Sequence, residues 1–310
     1  MKLTIRLSLF TLFLIAFGGK IQAQTTDLSD AKIVCAEKND PVILKAVAIL
    51  QEEISKRSQI QLQVVKTISR KNTTSVIIVG LESKLTDFAS QLAQLKATAN
   101  EGFKLMTPDN GKTIIVAGHD SRGVLYGVGK LLRILDMSQG RVSFSGAVKI
   151  SSTPQYPIRG HQLGYRPKTN AYDAWTVAQY DSYIRDLVVF GANSIEIMPP
   201  HTDDDFTSVH MKLPAIEMIA QQSRICKEYG LDVWMWYPNM CSDYSSPDSI
   251  RKELAEREQI FSVLPKLDAL FVPGGDPGDL EPDVLFSWLE KEAVILRKYH
   301  PNAKIWVSPQ

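Results

Sequence analysis

Two glycines followed by acidic residues end one apolar run of this chain, in the stretch Val272-Pro273-Gly274-Gly275-Asp276-Pro277-Gly278-Asp279. Such a glycine pair lets the backbone turn sharply and lets a ligand approach the backbone closely. The same turn can be an ordinary one in which Asp279 caps the helix that Pro282 begins. Because Asp276 is not needed for that cap, we predict that it contributes to a site. Asp279 and Glu281 are the further candidate carboxyl groups there.

Polar and aromatic side chains also follow four other apolar runs of the chain. They are His161, Gln162, Tyr165 and Arg166 after the first run, His201, Asp203, Asp204 and Asp205 after the second, Trp234, Trp236, Tyr237, Asn239, Asp243 and Tyr244 in and after the third, and Ser308 and Gln310 at the end of the fifth. Aromatic faces stack on the C–H surfaces of sugars, while carboxylates and amides bind hydroxyls in fixed directions. If the runs are strands that end at one rim, this set predicts a sugar site.

Several of these candidates have a second, structural interpretation. The Asp203–Asp205 cluster is a solvated loop unless further oxygen ligands make it a cation site, and we predict no metal centre. Trp234 and Trp236 either fill the interior or line the site. His161 and His201 are single histidines without metal-ligand spacing, so a structural role competes with substrate binding for both.

The five runs that carry these residues recur at a regular spacing. They begin near Ile158, Ser194, Leu231, Leu267 and Lys304, about 36 or 37 residues apart. Stretches with helical periodicity lie between them, at Thr176–Phe190, Leu213–Tyr229, Ser249–Phe261 and Pro282–Tyr299. This pattern predicts an α/β fold that is a partial (β/α)8 TIM barrel over residues 151–310, with strands one to five only. A complete five-stranded doubly wound domain is the alternative.

Glu196 is a charge inside one of these runs, Ser194-Ile195-Glu196-Ile197. A lone buried carboxylate is costly. Its presence points either to a polar barrel interior or to a salt bridge that faces a helix.

The sequence pattern of residues 24–150 predicts a small α+β domain that precedes the barrel. Asp40 and Pro41 begin a helix that runs to about Arg57, and a second helix runs from Asp120 to Leu135. The predicted strands are Lys32–Ala36, Gln61–Val65, Ser75–Gly80, Gly102–Met106, Thr113–Ala117 and Val142–Ile150. Pro108-Asp109-Asn110-Gly111 joins two of them as a hairpin turn.

Residues 1–23 predict a signal peptide, with Lys2 and Arg6 before an apolar run and a cleavage site before Gln24. We therefore expect export to the periplasm or the extracellular space. Removal of the segment leaves 32 basic and 34 acidic residues, a net charge of −2. That balance argues against nucleic-acid partners and membrane insertion. Cys226 and Cys241 flank one predicted strand and either pair or remain free thiols.

Three segments resemble exported glycoside hydrolases. Glu101-Gly102-Phe103-Lys104-Leu105 with its hairpin, and Gly123-Val124-Leu125-Tyr126-Gly127-Val128-Gly129-Lys130-Leu131-Leu132, are similar to the small N-terminal domain of family 20 β-hexosaminidases and family 67 α-glucuronidases. Pro154-Gln155-Tyr156-Pro157-Ile158-Arg159-Gly160 resembles the entry to their first barrel strand. The likeness extends from about Ala31 to Gln310.

The resemblance implies roles for particular residues. Arg159 matches the family 20 arginine that binds sugar hydroxyls. Gly274, Gly275 and Asp276 match the family's Gly-Gly-Asp-Glu motif, in which the aspartate orients the substrate, but Pro277 stands where the general acid is expected. Asp279 and Glu281 are then the candidates to supply the acid from a shifted position. In family 67 the basic residues of the reaction come after later strands.

Together these observations predict a glycoside hydrolase that removes a terminal sugar or uronic acid, exo-acting, from a poly- or oligosaccharide. Asp276, Asp279 and Glu281 are the candidate catalytic residues. The substrate-binding candidates are Arg159, His161, Trp236, Tyr237, Asn239 and His201. The chemistry requires no cofactor, and the sequence leaves the oligomeric state open. The alternative is a non-catalytic carbohydrate-binding protein, or an inactive fragment of a longer glycosidase.

Overall fold

The computed structural model describes residues 25–68, 74–108, 111–164, 174–197, 210–241, 243–274 and 280–308. Within these ranges the chain forms three sheets with helices packed against them, so the predicted α/β character is confirmed. Every helix in the described ranges is too short or too polar to cross a membrane.

The first sheet has six strands and a helical layer on one face. Its strands are β2 (Lys32–Val34), β3 (Gln63–Val65), β4 (Val76–Leu81), β5 (Phe103–Met106), β6 (Thr113–Gly118) and β9 (Lys149–Ser152), in the order β3-β2-β4-β6-β5-β9. Helices α1 (Pro41–Ser58) and α3 (Ser121–Ile134) bury their apolar stripes against it. The side chains of Asp40 and Asp120 cap these two helices, as the sequence predicts. The short helix α2 (Ala89–Leu92) packs against the opposite face.

A second sheet of three strands corrects one prediction. It consists of β1 (Thr25–Asp27), β7 (Asp136–Ser138) and β8 (Arg141–Ser145), in the order β1-β8-β7. The single strand predicted at Val142–Ile150 is therefore wrong: β8 belongs to this sheet, whereas β9 pairs with β5 of the first. Gly146, which has a φ of 83°, separates the two strands in a conformation that β-strand residues do not adopt.

The third sheet consists of five parallel strands in sequential order. They are β10 (Gly160–Gln162), β11 (Ser194–Ile197), β12 (Asp232–Trp236), β13 (Ala269–Pro273) and β14 (Lys304–Ser308). Helices α4 (Val177–Val189), α5 (Ala215–Glu228), α6 (Pro247–Val263) and α7 (Pro282–Tyr299) lie between successive strands. Each predicted strand begins within two residues of the observed start, and all four predicted helices are confirmed.

Alternate residues of the parallel strands face the helices and are fully buried. These are Ile195, Ile197, Val233, Met235, Leu270 and Val272, each at most 1% exposed. They join the helices in one apolar core that continues into the six-stranded sheet. Side chains alternate between the two faces of a strand. The residues between these six therefore point to the opposite face of the sheet.

Glu101 joins the amino ends of the parallel strands to helix α3. Its carboxylate accepts hydrogen bonds from Arg122 Nη1 at 2.8 Å, Arg159 Nη2 at 2.6 Å and Asn193 Nδ2 at 3.1 Å. Arg122 also contacts Asp232 at 2.6 Å. Burial acts to raise the pKa of the Glu101 carboxyl, but the hydrogen bonds from Arg122 and Arg159 outweigh it and leave that pKa below its ordinary value. The network fixes the third sheet relative to the first.

Candidate functional site

One face of the parallel sheet carries polar and aromatic side chains, and we call it the polar–aromatic face. It is defined by Gln162, Glu196, Trp234, Trp236, Phe271 and Trp306. The strand register places Gln162 beside Glu196 and Glu196 beside Trp234, one strand apart each time. Trp236 lies beside Phe271, and Phe271 beside Trp306. A carboxyl group, an amide and four aromatic rings therefore share one surface that extends to the carboxyl ends of the strands.

Glu196 is the acidic group of this face. Its Oε1 accepts a hydrogen bond of 2.8 Å from Gln162 Nε2. Burial raises the pKa of the Glu196 carboxyl, and the hydrogen bond from Gln162 offsets only part of that shift. Such a carboxyl retains its proton to higher pH than an ordinary glutamate and can then donate a hydrogen bond. Glu196 therefore lies on the face of the sheet opposite the helices, which argues against the helix-facing salt bridge, whereas the barrel interior stays a prediction.

Two tryptophans, Trp234 on β12 and Trp306 on β14, form an aromatic platform. The rings of Trp234 and Trp306 have centroids 5.4 Å apart and planes inclined by 34°. Trp306 is 45% exposed, whereas Trp236 is only 8% exposed. Indole faces of this kind can stack on a sugar ring. Trp234 is partly exposed as well, so both rings of the platform are accessible, and the more exposed of them, Trp306, was not among the predicted site residues.

His161 and Tyr237, two predicted substrate-binding residues, point to the helical side of the sheet. His161 Nε2 lies 2.9 Å from the hydroxyl of Tyr183 on α4, and burial lowers the pKa of its imidazole. The ring of Tyr237 is 1% exposed and lies under the guanidinium of Arg257, with 3.5 Å between the guanidinium carbon and the ring centroid. Both side chains therefore serve the packing between strands and helices, and neither joins the polar–aromatic face.

Asn239 follows β12 and is 4% exposed. Among the described residues, its Oδ1 is a buried oxygen without a hydrogen-bond partner. Glu281 is exposed and immediately precedes Pro282 at the start of α7. Both residues lie on loops that leave the carboxyl ends of the parallel strands, which is where the sequence places the site.

Arg159 lies at the opposite, amino-terminal edge of the sheet. Besides Glu101, its guanidinium donates hydrogen bonds to the carbonyl oxygens of Gly191 and Tyr156, at 2.8 and 2.9 Å. Residues at this edge of parallel α/β folds stabilise the structure, while chemistry is placed at the carboxyl ends. The geometry gives Arg159 a structural role and does not bring it to the polar–aromatic face.

The predicted site residues Asp276, Asp279 and His201 lie outside the described residues, as do Tyr165, Arg166, Gln310, Pro277 and the Asp203–Asp205 cluster. Their roles stay predictions. Within the described ranges, His, Cys, Asp and Glu side chains form no group of three or more that could hold a metal ion. Cys226 and Cys241, whose pairing the sequence left open, are free thiols, with Cys226 buried and Cys241 partly exposed.

Comparison with known proteins finds a resemblance to glycoside hydrolases. Residues 20–131 match the family model of the glycosyl hydrolase family 67 N-terminus. A comparison with the curated proteins gives no match.

Solved structures share the fold at low sequence identity. The Flavobacterium johnsoniae chitobiase of family GH20 is 14% identical, with a TM-score of 0.63, and the match covers 92% of this chain and 50% of that one. The GH20 β-N-acetylhexosaminidase from Streptomyces coelicolor A3(2) is 13% identical, with a TM-score of 0.64 and coverages of 92% and 63%. A family GH115 4-O-methyl-α-glucuronidase with specificity for decorated arabinogalactans is 16% identical, with a TM-score of 0.56 and coverages of 89% and 41%.

This chain spans about half the length of the chitobiase, whose match covers 50% of that enzyme. At 13–16% identity the structural likeness shows the fold alone. The family-model match is independent of it and covers strands β1 to β6, helix α1 and most of helix α3. The chain thus resembles glycoside hydrolases both in the sequence of its N-terminal part and in its fold, as the sequence predicts.

Proposed function

We propose that this protein hydrolyses O-glycosyl bonds of a glycan and removes a terminal sugar or uronic acid in an exo-acting manner. The observation that carries the proposal is the polar–aromatic face. There a carboxyl group with a raised pKa, an amide partner and the Trp234–Trp306 platform lie together on parallel strands. Stacking surfaces combined with directional oxygen ligands suit a pyranose ring.

The architecture supports the same proposal. Five parallel strands in sequential order, with helices between them, follow the order found in a (β/α)8 barrel. We propose that residues 151–310 form the first five units of such a barrel and that residues 24–150 form the preceding α+β domain. We further propose that residues 1–23 direct export to the periplasm or the extracellular space.

Glycoside hydrolysis generally uses two carboxyl groups, one of which holds a proton for the leaving oxygen. In this proposal Asp276 binds or orients the sugar, and Asp279 or Glu281 is the general acid. Asn239 and Trp236 bind the substrate. Glu196, protonated over a wider pH range than an ordinary glutamate, donates a hydrogen bond to a sugar oxygen.

A second candidate function is carbohydrate binding without hydrolysis. The observation that favours it is Pro277, which stands where family 20 enzymes have their general acid. A proline side chain cannot protonate a leaving group.

The two functions separate in one experiment. The purified protein is incubated with 4-nitrophenyl N-acetyl-β-glucosaminide and with oligosaccharides that end in 4-O-methylglucuronic acid, while binding is followed by calorimetry. Release of 4-nitrophenol or uronic acid supports hydrolysis. Binding without release supports the second function, and neither binding nor release with any probe refutes both.

A variant pair tests the polar–aromatic face directly. Trp306→Ala should weaken binding of the sugar about 2- to 12-fold, because an aromatic contact contributes about 0.5–1.5 kcal/mol beyond burial. Phe286→Ala is the matched control, since Phe286 is an exposed aromatic residue, 57% exposed, on α7 and away from this face. Equal affinities of the two variants would contradict the placement of the site.

A further inference from the structure

A buried cluster of charges lies beneath the loop that follows β12. Arg257 on α6 and Glu292 on α7 have fully buried side chains, with Arg257 Nη1 2.8 Å from Glu292 Oε1. Glu253, one turn before Arg257, accepts a hydrogen bond of 2.8 Å from Arg257 Nη2, and its side chain is 10% exposed. One cation and two carboxyl groups thus share a site that water does not reach freely.

The cluster is bonded to the loop at several points. Arg257 Nη2 donates a hydrogen bond of 2.7 Å to the carbonyl oxygen of Pro238, and its guanidinium covers the ring of Tyr237. Glu253 accepts hydrogen bonds from the backbone N–H of Met240 at 3.4 Å and from the hydroxyl of Tyr244 at 3.2 Å.

Tyr244 extends the contact to the next residue of the loop. Its hydroxyl also accepts a hydrogen bond of 3.3 Å from the backbone N–H of Cys241. The backbone groups of Pro238 and Met240, on either side of Asn239, are therefore bonded directly to α6, and that of Cys241 is bonded through Tyr244. Asn239 itself, with the unpartnered Oδ1, lies between these anchor points.

Burial of these charges is not explained by stability. An apolar replacement of a buried ion pair is often neutral or stabilising, because the desolvation cost of two ions offsets their attraction. A guanidinium does provide something an apolar side chain cannot, namely directed donors for a backbone carbonyl in a loop without regular hydrogen bonding.

We propose that Arg257 is a positioning residue that, with Glu253, holds the β12–α6 loop and thereby fixes Asn239 at the carboxyl ends of the parallel strands. The role of Asn239 toward a sugar rests on the proposed function above. The positioning of the loop by Arg257 and Glu253 is independent of that function, because it follows from contacts within the chain alone.

The test uses three variants and backbone amide hydrogen exchange measured by NMR. Arg257→Met alone is not one of the three, because it leaves Glu292 buried without a partner and can fail to fold. The double variant Arg257→Met/Glu292→Met removes both fully buried charges and keeps the volume, so it should fold. Glu292→Met alone is the matched control, because Arg257 then keeps its bonds to Pro238 and Glu253. Arg257→Lys retains the charge without the planar fork.

In the double variant we expect exchange at Met240 and Cys241 to accelerate about tenfold or more, the factor that corresponds to loss of a hydrogen bond to a charged group. Exchange at Leu231, whose N–H is bonded to Cys226 O, should not change. Glu292→Met should leave Met240 and Cys241 protected, and Arg257→Lys should restore only part of the protection. Unchanged exchange at Met240 and Cys241 in the double variant, or equal acceleration at Leu231, would overturn the proposal.

A second readout separates this inference from the proposed function. N-acetylglucosamine and glucuronic acid are titrated separately while the side-chain amide signal of Asn239 is followed. A shift in the wild type and in Glu292→Met that weakens in the double variant supports both ideas. Absence of any shift in the wild type counts against the sugar-binding role, while the exchange data decide whether Arg257 holds the loop.

Discussion

Replacement of Glu101 by glutamine should lower the free energy of unfolding by about 2–3 kcal/mol. Each hydrogen bond to a charged group contributes about 1.5–3 kcal/mol, and Glu101 accepts such bonds from Arg122 and Arg159 at 2.8 and 2.6 Å. The sum is reduced because the Glu101 side chain is 15% exposed and because both arginines keep other partners. Glutamine preserves the shape of the side chain and is compatible with the backbone φ of 61°. The lost free energy of unfolding therefore measures the contribution of the negative charge.

The measurement is urea unfolding followed by circular dichroism, with Glu228→Gln as the matched control. Glu228 pairs with Lys45 and Arg224, but its side chain is 41% exposed, so its replacement should cost less than about 1 kcal/mol. The lowered pKa of Glu101 means that its stabilising effect is present above the ordinary value of 4.5 and is lost as the pH falls through the folded-state value. The difference between wild type and variant should therefore shrink in acid. Equal effects of the two substitutions, or a difference independent of pH, would refute the reasoning.

Three further predictions follow from local features. Gly129→Ala should destabilise by about 1–3 kcal/mol in urea unfolding, because a Cβ there would lie 2.5 Å from a backbone oxygen of α4. Gly80→Ala, with its nearest neighbour at 3.6 Å, should not. Burial raises the pKa of the Glu292 carboxyl above its ordinary value of 4.5. The free energy of unfolding of the wild type should therefore fall by up to about 1.4 kcal/mol per pH unit as the pH rises above that ordinary value. Glu292→Gln should lack that slope, and parallel stability curves from pH 4 to 7 would contradict this. Iodoacetamide should label Cys241 in the native protein before Cys226, whose pKa burial raises to about 12, and mass spectrometry of peptides would show the opposite order if the burial argument fails.

The sequence predicts the repeated strands and helices well because their signals are local. Proline at the first position of α6 and α7 and the side-chain cap of α1 mark helix ends within a few residues. The single strand predicted for Val142–Ile150 failed for a different reason. The residue types around Gly146 are compatible with a strand, and the division between two sheets follows from their partners, which are β1 and β7 for β8 and β5 for β9.

The candidate site was harder to predict because the face to which a side chain points depends on register and packing. Tyr237 and His161 have the chemistry of sugar ligands. Each is adjacent in the chain to a residue of the polar–aromatic face, and because successive side chains alternate, both point to the helices instead. Glu196 did carry a signal, as a charge in an apolar strand. The Arg257–Glu292 contact joins residues 35 positions apart on different helices, and no spacing rule in one sequence reveals it.

The pairing of β1 with β8 has a consequence for synthesis of the chain. Thr25 lies opposite Ser145, 120 positions further along. At about 5–20 residues per second of translation, roughly 6–24 s separate the appearance of the two strands. During that interval the backbone groups of β1 have no strand to pair with. The nascent chain should consequently remain open to proteases and chaperones at β1 until Ser145 has left the ribosome.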